Sequence, residues 1–238
     1  MSNLRKYKFI FISGWGCDET IWDSIVSELD SDCYFIPWWE CLSDSHNDNS
    51  LYKRLNSESE PVILVGWSLG ALISLSAAIR IPDKISEIFL ISPTARMIAD
   101  EGYIGANEKY IKAMRLSVRK FRKKLLTDFF EMCLNPKKDI ILVNRLIEKG
   151  LKIDKVFLSQ GLNYLLNTDI RKNIDLIKQP VKILHGDKDK IIDVSNGIYL
   201  NKYLKNSSIT IFKNQGHFLL EGNSETIFNQ LLEFENQI

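Results

Sequence analysis

A serine lies between two glycines in a G-x-S-x-G motif at residues 66–70, GWSLG. The apolar run 62–65 before it predicts a buried strand, and the Ala- and Leu-rich stretch 69–79 after it predicts a helix. At a sharp strand-to-helix turn the glycines leave room for both elements, and Ser68 projects at the helix N-terminus, where free N–H groups favour a developing negative charge. The alternative is a turn or helix N-cap that contains a serine by chance. The setting favours Ser68 as a nucleophile.

A serine hydroxyl needs a base to take its proton, and the chain has three histidines. His46 lies in a polar loop, where we expect it to be solvated, and His185 ends a predicted buried strand, where we expect it to be packed near the site. His217 lies between the last predicted strand and helix, at the same carboxyl edge of the sheet as Ser68. A loop histidine is more often unremarkable than catalytic, but this position favours His217 as the base.

The acid that orients the base is expected in another loop at this edge of the sheet. Asp187, Asp189 and Asp193 all follow the strand predicted at 181–185, and spacing alone does not separate them. A solvated turn, with Asp193 capping the next helix, is the alternative. The chain order Ser, Asp, His is the one expected for a serine hydrolase built on a parallel sheet.

Two backbone N–H groups are predicted to form an oxyanion hole. One belongs to Leu69, directly after the nucleophile, and the other to Trp15, in the loop 14–16 (GWG) after the first predicted strand. The glycines of this loop also suit a plain strand-to-helix turn. The two descriptions are compatible.

Predicted strands alternate with predicted helices over most of the chain. Strands are expected at 7–13, 33–37, 62–65, 85–92, 181–185 and 208–212, and helices after Asp18, up to about residue 55, and at 69–79, 194–204 and 224–235. Such alternation implies a mostly parallel sheet covered on both faces. From about 95 to 167 only helical patterns occur. The predicted class is α/β, with a core of residues 1–94 and 168–238 and a helical lid insertion at 95–167.

Composition narrows the kind of protein. The 238 residues carry 31 Lys and Arg against 30 Asp and Glu, and 45% are hydrophobic, as in an ordinary soluble domain. The four cysteines show neither a C-x-x-C pair nor metal-ligand spacing, so a reducing cytoplasm is expected. No stretch is long enough for a signal-peptide core or a membrane span. No metal or organic cofactor is implied.

Positive charge is concentrated in the predicted insertion. Residues 101–160 hold 14 Lys and Arg against 7 Asp and Glu. The spacing predicts one amphipathic helix over 108–126. Its predicted apolar face consists of Ile111, Met114, Val118, Phe121 and Leu125, and its basic stripe of Lys112, Arg115, Arg119 and Arg122, with Lys120, Lys123 and Lys124 nearby. A solvated face is the usual explanation, but the shortage of acids favours an acidic macromolecular partner. No nucleic-acid-binding motif is present.

Together these motifs resemble those of the α/β-hydrolase superfamily, and within it the pimeloyl-acyl-carrier-protein methyl ester esterases of biotin synthesis. The matching segments are 14–16 with Trp22, 66–70, 161–171, the G-x-x-D turn at 186–189 and the Gly-His pair at 216–217. Two departures stand out. Ser13 occupies a position where the family usually has His, and the N-terminal β-hairpin usual in the family is expected to be missing, which leaves about six strands.

The resemblance implies roles for individual residues. It selects Asp189 as the acid, because the family has its acid three residues after the glycine of that turn. It puts Trp15 and Leu69 at the oxyanion hole, in contact with substrate, and lid aromatics such as Phe129 or Phe130 around the acyl chain. It also implies that an acidic acyl carrier protein docks on the basic lid, at Arg115, Arg119, Arg122 and Lys123.

The predicted function is that of a cytoplasmic serine carboxylesterase. It would cleave an acyl ester, with a carrier-linked acyl methyl ester as the favoured substrate, through an acyl-enzyme on Ser68 formed with His217 and Asp189. An acyl thioesterase or general small-ester esterase would use the same residues. A non-catalytic ligand receptor on this fold is an alternative of a different class, although the complete Ser, His and Asp set argues against it.

Overall fold

The computed structural model describes residues 8–43, 45 and 47–235, and within them six strands form one sheet. The strand order is β2-β1-β3-β4-β5-β6, and every neighbouring pair is parallel. The strands are β1 (Lys8–Ile12), β2 (Asp32–Phe35), β3 (Val62–Trp67), β4 (Ile85–Ile91), β5 (Val181–Gly186) and β6 (Ser207–Phe212). The predicted α/β class is confirmed. Tyr7 and His46, on which two sequence-based predictions fall, lie outside the described residues.

Nine α-helices occur within the described part of the chain. They are α1 (Asp23–Val26), α2 (Ser50–Ser57), α3 (Leu69–Arg80), α4 (Glu108–Lys120), α5 (Arg122–Leu134), α6 (Ile140–Gly150), α7 (Lys155–Asn167), α8 (Val194–Tyr203) and α9 (Ser224–Glu235). Asp18 caps a short 3-10 turn that precedes α1, where the sequence predicted a capped helix. No helix among these is long and apolar enough to cross a membrane.

The two central strands, β3 and β4, contribute much of the hydrophobic core. Every residue of β3 is buried, a pattern that requires helices on both faces of the sheet. α3 packs across β1, β3 and β4, while α1 and α9 contact each other. This arrangement makes the carboxyl end of β3 a rigid platform, and the residue that follows β3 is Ser68.

Helices α4 to α7 lie between β4 and β5, where the lid insertion was predicted. α4 packs on α7, and α5 packs on α6. The prediction of a single helix over 108–126 is wrong, because the chain breaks at Phe121, which has φ −131° and ψ 32°. The Phe121 N–H donates to the Ser117 carbonyl at the end of α4, and the Phe121 carbonyl accepts the N–H of Leu125 in α5. Phe121 is 63% exposed rather than part of a buried face.

Candidate active site

Ser68 occupies a strained turn between β3 and α3. Its φ of 55° and ψ of −114° are unusual for a residue with a side chain, and its N–H donates to the Ile91 carbonyl at 2.9 Å. The flanking glycines have a steric reason: a Cβ on Gly70 would lie 2.0 Å from the Ile12 carbonyl oxygen, and one on Gly66 would lie 2.6 Å from the Gly70 carbonyl oxygen. The motif therefore lets α3 approach both β3 and β1 closely while Ser68 projects from the turn.

His217 meets Ser68 from the loop after β6. Its Nε2 lies 2.8 Å from Ser68 Oγ, although 149 residues separate them. The ring is fully buried, and its backbone carbonyl accepts hydrogen bonds from Trp67 Nε1 and Ser92 Oγ, both at 3.0 Å. These two donors hold the loop so that the imidazole faces the serine.

Asp189 completes a hydrogen-bonded chain. Its Oδ2 lies 2.7 Å from His217 Nδ1, and its Oδ1 accepts the N–H groups of Ile191 and Ile192 at 2.8 and 2.9 Å. Burial by itself would raise the pKa of this carboxyl, but the charge of His217 and hydrogen bonds from His185 and His217 outweigh it and hold the pKa below its usual value. A buried carboxylate in this position can fix the tautomer of His217 with its proton on Nδ1.

The two other aspartates of this loop have different partners. Asp187 accepts the N–H of Asn214 at 2.7 Å. Asp193 caps α8 by accepting the N–H of Ser195 at 2.9 Å. Geometry thus separates three residues that spacing could not.

Two further buried polar residues lie near Ser68, His217 and Asp189. His185 is packed near the site, as expected from the sequence, but its contact with Asp189 was not predicted: its Nε2 lies 3.2 Å from Asp189 Oδ2. Ser92, also buried, follows β4 with a φ of 48°. A polar residue at the carboxyl end of a strand, beside the G-x-S-x-G strand, is the only signal that could have found Ser92.

Trp15 and Leu69, the two predicted oxyanion donors, lie in the loop after β1 and at the start of α3. Leu69 is the first residue of α3, and the N–H of a first helical residue has no partner inside its helix. Trp15 lies in a tight turn closed by the Cys17 N–H on the Gly14 carbonyl at 3.1 Å. Its indole Nε1 donates to the Leu158 carbonyl at 2.8 Å, which ties the loop to α7. Ser13, in the position of the family histidine, accepts from Trp22 Nε1 and so supports the same loop.

A cavity of about 630 Å³ opens beside Ser68. Its apolar wall consists mainly of Trp15, Met97, Ile111, Met114, Phe129, Met132, Leu162 and Leu165, and Arg96 and Lys190 also line it. Phe129 packs edge-on against the Trp15 ring at 4.9 Å. Phe130, predicted beside it around the substrate, does not line the cavity; it is fully buried, with its ring facing Gly16. The reason is helical geometry, since adjacent residues of α5 point in different directions.

A larger cleft of about 810 Å³ lies between α7 and the loop after β2. It contains none of the residues of the Ser68 site, so the smaller cavity is the candidate substrate site. Within residues 8–43, 45 and 47–235, no group of three His, Cys, Asp or Glu side chains is arranged to hold a metal ion.

The four cations predicted to bind a carrier protein have different surroundings. Arg115 donates to Asn163 Oδ1 at 2.8 Å, and Arg122 donates to the Ile153 carbonyl at 3.3 Å. Both are half-buried, whereas Arg119 and Lys123 are exposed. Because Phe121 interrupts the helix, Arg122 belongs to α5 and the basic stripe does not continue along one helical face.

Comparison with known families identifies the family to which the chain belongs. Residues 38–223 match the family described as serine aminopeptidase, S33, one of the α/β-hydrolase families. The chain belongs to this family. Among curated relatives of this hydrolase, the pimeloyl-[acyl-carrier protein] methyl ester esterase of Aliivibrio fischeri (strain MJ11) is 25% identical over 96% of this chain and 93% of its own. The esterase of the same name from Neisseria meningitidis serogroup A is 27% identical over 88% of this chain and 70% of its own.

Solved structures share the fold of this α/β-hydrolase. A hydrolase from Oleispira antarctica matches with a TM-score of 0.86 and 17% identity, over 98% of this chain and 92% of the other. An esterase from Exiguobacterium antarcticum matches with a TM-score of 0.82 and 17% identity, over 96% of this chain and 91% of the other. At this level of identity the likeness concerns the fold.

Proposed function

We propose that this α/β-hydrolase is a serine carboxylesterase that works through an acyl-enzyme on Ser68. The observation that carries the proposal is the continuous hydrogen-bonded chain from Ser68 Oγ through His217 to Asp189, open to an apolar cavity. His217 Nε2 takes the Ser68 proton as Oγ attacks the ester carbonyl carbon. The N–H groups of Trp15 and Leu69 stabilise the tetrahedral oxyanion. His217 then donates its proton to the departing alcohol.

The second half-reaction releases the acid. His217 takes a proton from water, whose oxygen attacks the acyl carbon. The new tetrahedral species then collapses to a carboxylic acid as His217 returns its proton to the departing Ser68 Oγ. Asp189 keeps the proton of His217 on Nδ1 throughout, so Nε2 is always the nitrogen that exchanges protons with Ser68 or water. No other co-reactant is needed.

The names of the curated relatives support a carrier-linked acyl methyl ester as the substrate. The apolar wall of the cavity suits an acyl chain. An acidic carrier protein would then dock on the exposed cations of the insertion, Arg119 and Lys123, with Arg115 and Arg122 beside them. We place the protein in the cytoplasm, because Cys17, Cys41 and Cys133 are buried free thiols, which suit a reducing compartment.

The family description raises aminopeptidase activity as a second candidate. An aminopeptidase must bind a free α-ammonium group, which calls for acceptors or acidic groups beside the scissile bond. Here the two carboxylates among the described residues that line the cavity are already engaged, Asp189 by His217 and Asp193 as the cap of α8, and the Lys190 cation lies beside them. These engaged carboxylates favour the esterase over the peptidase.

A substrate panel tests the proposed chemistry. We expect the wild type to hydrolyse acyl methyl esters faster than thioesters or aminoacyl amides, and Ser68→Ala to lose at least about a thousandfold in kcat/KM, because triad members act as a unit. Circular dichroism and Tm would show that the variant is folded. Failure of a fluorophosphonate to label Ser68, together with no hydrolysis of any panel member, would indicate a receptor instead, and preferential hydrolysis of amides would indicate the peptidase.

Charge reversal tests the carrier surface. Arg119→Glu with Lys123→Glu should lower kcat/KM for a carrier-linked ester sharply, since electrostatic attraction controls association, and the loss should shrink with added salt. Hydrolysis of a small neutral ester should not change. The control is Lys137→Glu with Lys138→Glu, the same change of charge beyond the other end of α5, roughly 20 Å away at about 1.5 Å per residue. Equal effects of the two pairs would contradict docking at this surface.

A further inference from the structure

His185 is a second histidine on the buried carboxylate. It is the fifth residue of β5, and its side chain is fully buried beneath α8. Its Nε2 lies 2.9 Å from the Ile192 carbonyl oxygen and 3.2 Å from Asp189 Oδ2. Oδ2 thus has a histidine on each side, His217 at 2.7 Å and His185 at 3.2 Å.

The tautomer of His185 follows from its neighbours. Both groups beside Nε2 are acceptors, so Nε2 carries the proton and shares it between them. Nδ1 is buried and has no hydrogen-bond partner among the described residues. A proton on Nδ1 would lack a hydrogen-bond acceptor in the core, which is costly. His185 therefore presents its Nε2–H to Asp189.

Gly197 of α8 holds the ring in this position. A Cβ at Gly197 would lie 2.6 Å from His185 Nδ1, so only glycine allows the helix backbone to pack on the imidazole. The remaining acceptor positions of Asp189 are filled by the N–H groups of Ile191 and Ile192. The Cys133 thiol also lies near the carboxylate, and burial raises its pKa well above the usual value.

We propose that His185 is a positioning residue for the hydrolysis: its Nε2–H locks the rotation of the Asp189 carboxylate and takes up part of the charge that Oδ2 presents to His217. This inference rests on the proposed function. Without His185, Oδ2 loses one of its two histidine partners and the carboxylate is held less firmly against His217, which lowers kcat. More of the carboxylate charge then acts on His217, so the acidic limb of the kcat/KM profile moves to higher pH.

The test uses two substitutions at His185 and one at Gly197. His185→Leu removes the donor, and we expect kcat to fall roughly 10- to 100-fold with little change in KM, the factor that a hydrogen bond to a charged group provides. His185→Gln offers an amide N–H near the position of Nε2 and should restore most of kcat and the wild-type pH limb. Gly197→Ala should displace the His185 ring and so lower kcat as His185→Leu does. The loss cannot come from a weaker helix, because alanine has a higher helix propensity than glycine.

Leu184→Ala is the matched control. Leu184 is equally buried but alternates to the opposite face of β5, so its truncation should lower Tm without moving the pH limb. If His185→Leu fails to fold, a comparison of His185→Gln with Gly197→Ala tests the proposal in its place. Folded His185→Leu or Gly197→Ala with wild-type kcat and pH profile, or with losses that follow Tm alone as in Leu184→Ala, overturns the proposal, and so does a loss in His185→Gln as large as that in His185→Leu. Wild-type hydrolysis that survives Ser68→Ala would instead overturn the proposed function itself.

Discussion

Asp189 differs from its two neighbouring aspartates in what it touches, not in its type. Asp189 contacts His217, whereas Asp187 and Asp193 bind backbone N–H groups. We predict that Asp189→Asn lowers kcat by about 10⁴-fold, since an amide favours the wrong tautomer of the histidine. Asp187→Asn and Asp193→Asn should change kcat less than about tenfold. Steady-state kinetics on one small ester suffice, and a crippling effect of Asp187→Asn would refute the geometry.

The three substitutions also serve as controls for one another. Each replaces one carboxylate by an amide within the same loop, so the change in net charge is identical. Asp193→Asn keeps a side chain that can cap α8, and its Tm should stay close to that of the wild type. A loss of activity in this variant with an unchanged Tm would mean that the cavity wall, which includes Asp193, binds the substrate directly.

At the scale of elements, the approach of α3 to β1 is limited by a single hydrogen atom at Gly70. A Cβ there would lie 2.0 Å from the Ile12 carbonyl oxygen. Both atoms would belong to backbone-anchored elements, α3 and β1, which cannot move apart easily. We predict that Gly70→Ala lowers the free energy of unfolding by about 3 kcal/mol or more, since overpacked sites cannot relax cheaply. Urea unfolding of the wild type and of Gly70→Ala measures this difference in the free energy of unfolding.

Gly102→Ala is the comparison for Gly70→Ala. Gly102 has nothing within 4 Å of its would-be Cβ, but its φ is +71°. Its substitution should cost only about 1 kcal/mol, the penalty for an L-residue in the left-handed region. Equal losses at the two positions would mean that backbone conformation, rather than close approach, explains the glycine of the motif.

At the scale of the whole molecule, the two ends of the helical insertion are joined by four charges. Arg171 binds Asp169 in a bidentate manner at 2.9 and 2.7 Å and reaches Asp100 at 2.8 Å. Arg96 contacts the same two carboxylates, Asp100 at 2.7 Å and Asp169 at 3.1 Å. Hydrogen bonds from Arg171 lower the pKa of both Asp100 and Asp169. A network of this kind stabilises more than an isolated surface pair.

We predict that Arg171→Gln lowers Tm by a few degrees and speeds amide exchange in residues 94–107 and near 168–171. Lys124→Gln is the control, because Lys124 pairs with Asp128 within α5 at 2.9 Å and both side chains are exposed. Added salt should reduce the difference in Tm between the wild type and Arg171→Gln. If both variants exchange like the wild type, the cluster does not hold the ends of the insertion together.

Much of the fold and part of the candidate site could be predicted from sequence. The six strands were each predicted to within about two residues at either end, as was the strand–Ser68–helix unit, because these patterns depend on neighbouring residues. The break at Phe121 could not be predicted, since no glycine or proline marks it. It exists because α4 packs on α7 while α5 packs on α6.

The α/β class, the position of the candidate nucleophile Ser68 and the charge of the insertion could be predicted because they follow from local pattern and composition. The family resemblance, but not spacing, selected the aspartate that faces His217. The contact of His185 with the same carboxylate, and the place of Phe129 rather than Phe130 on the cavity wall, are visible only in the tertiary structure. The physical reason is distance along the chain. Ser68 and His217 are 149 residues apart, and Asp189 and His217 are 28 apart. Their contact depends on how parallel strands align their carboxyl ends.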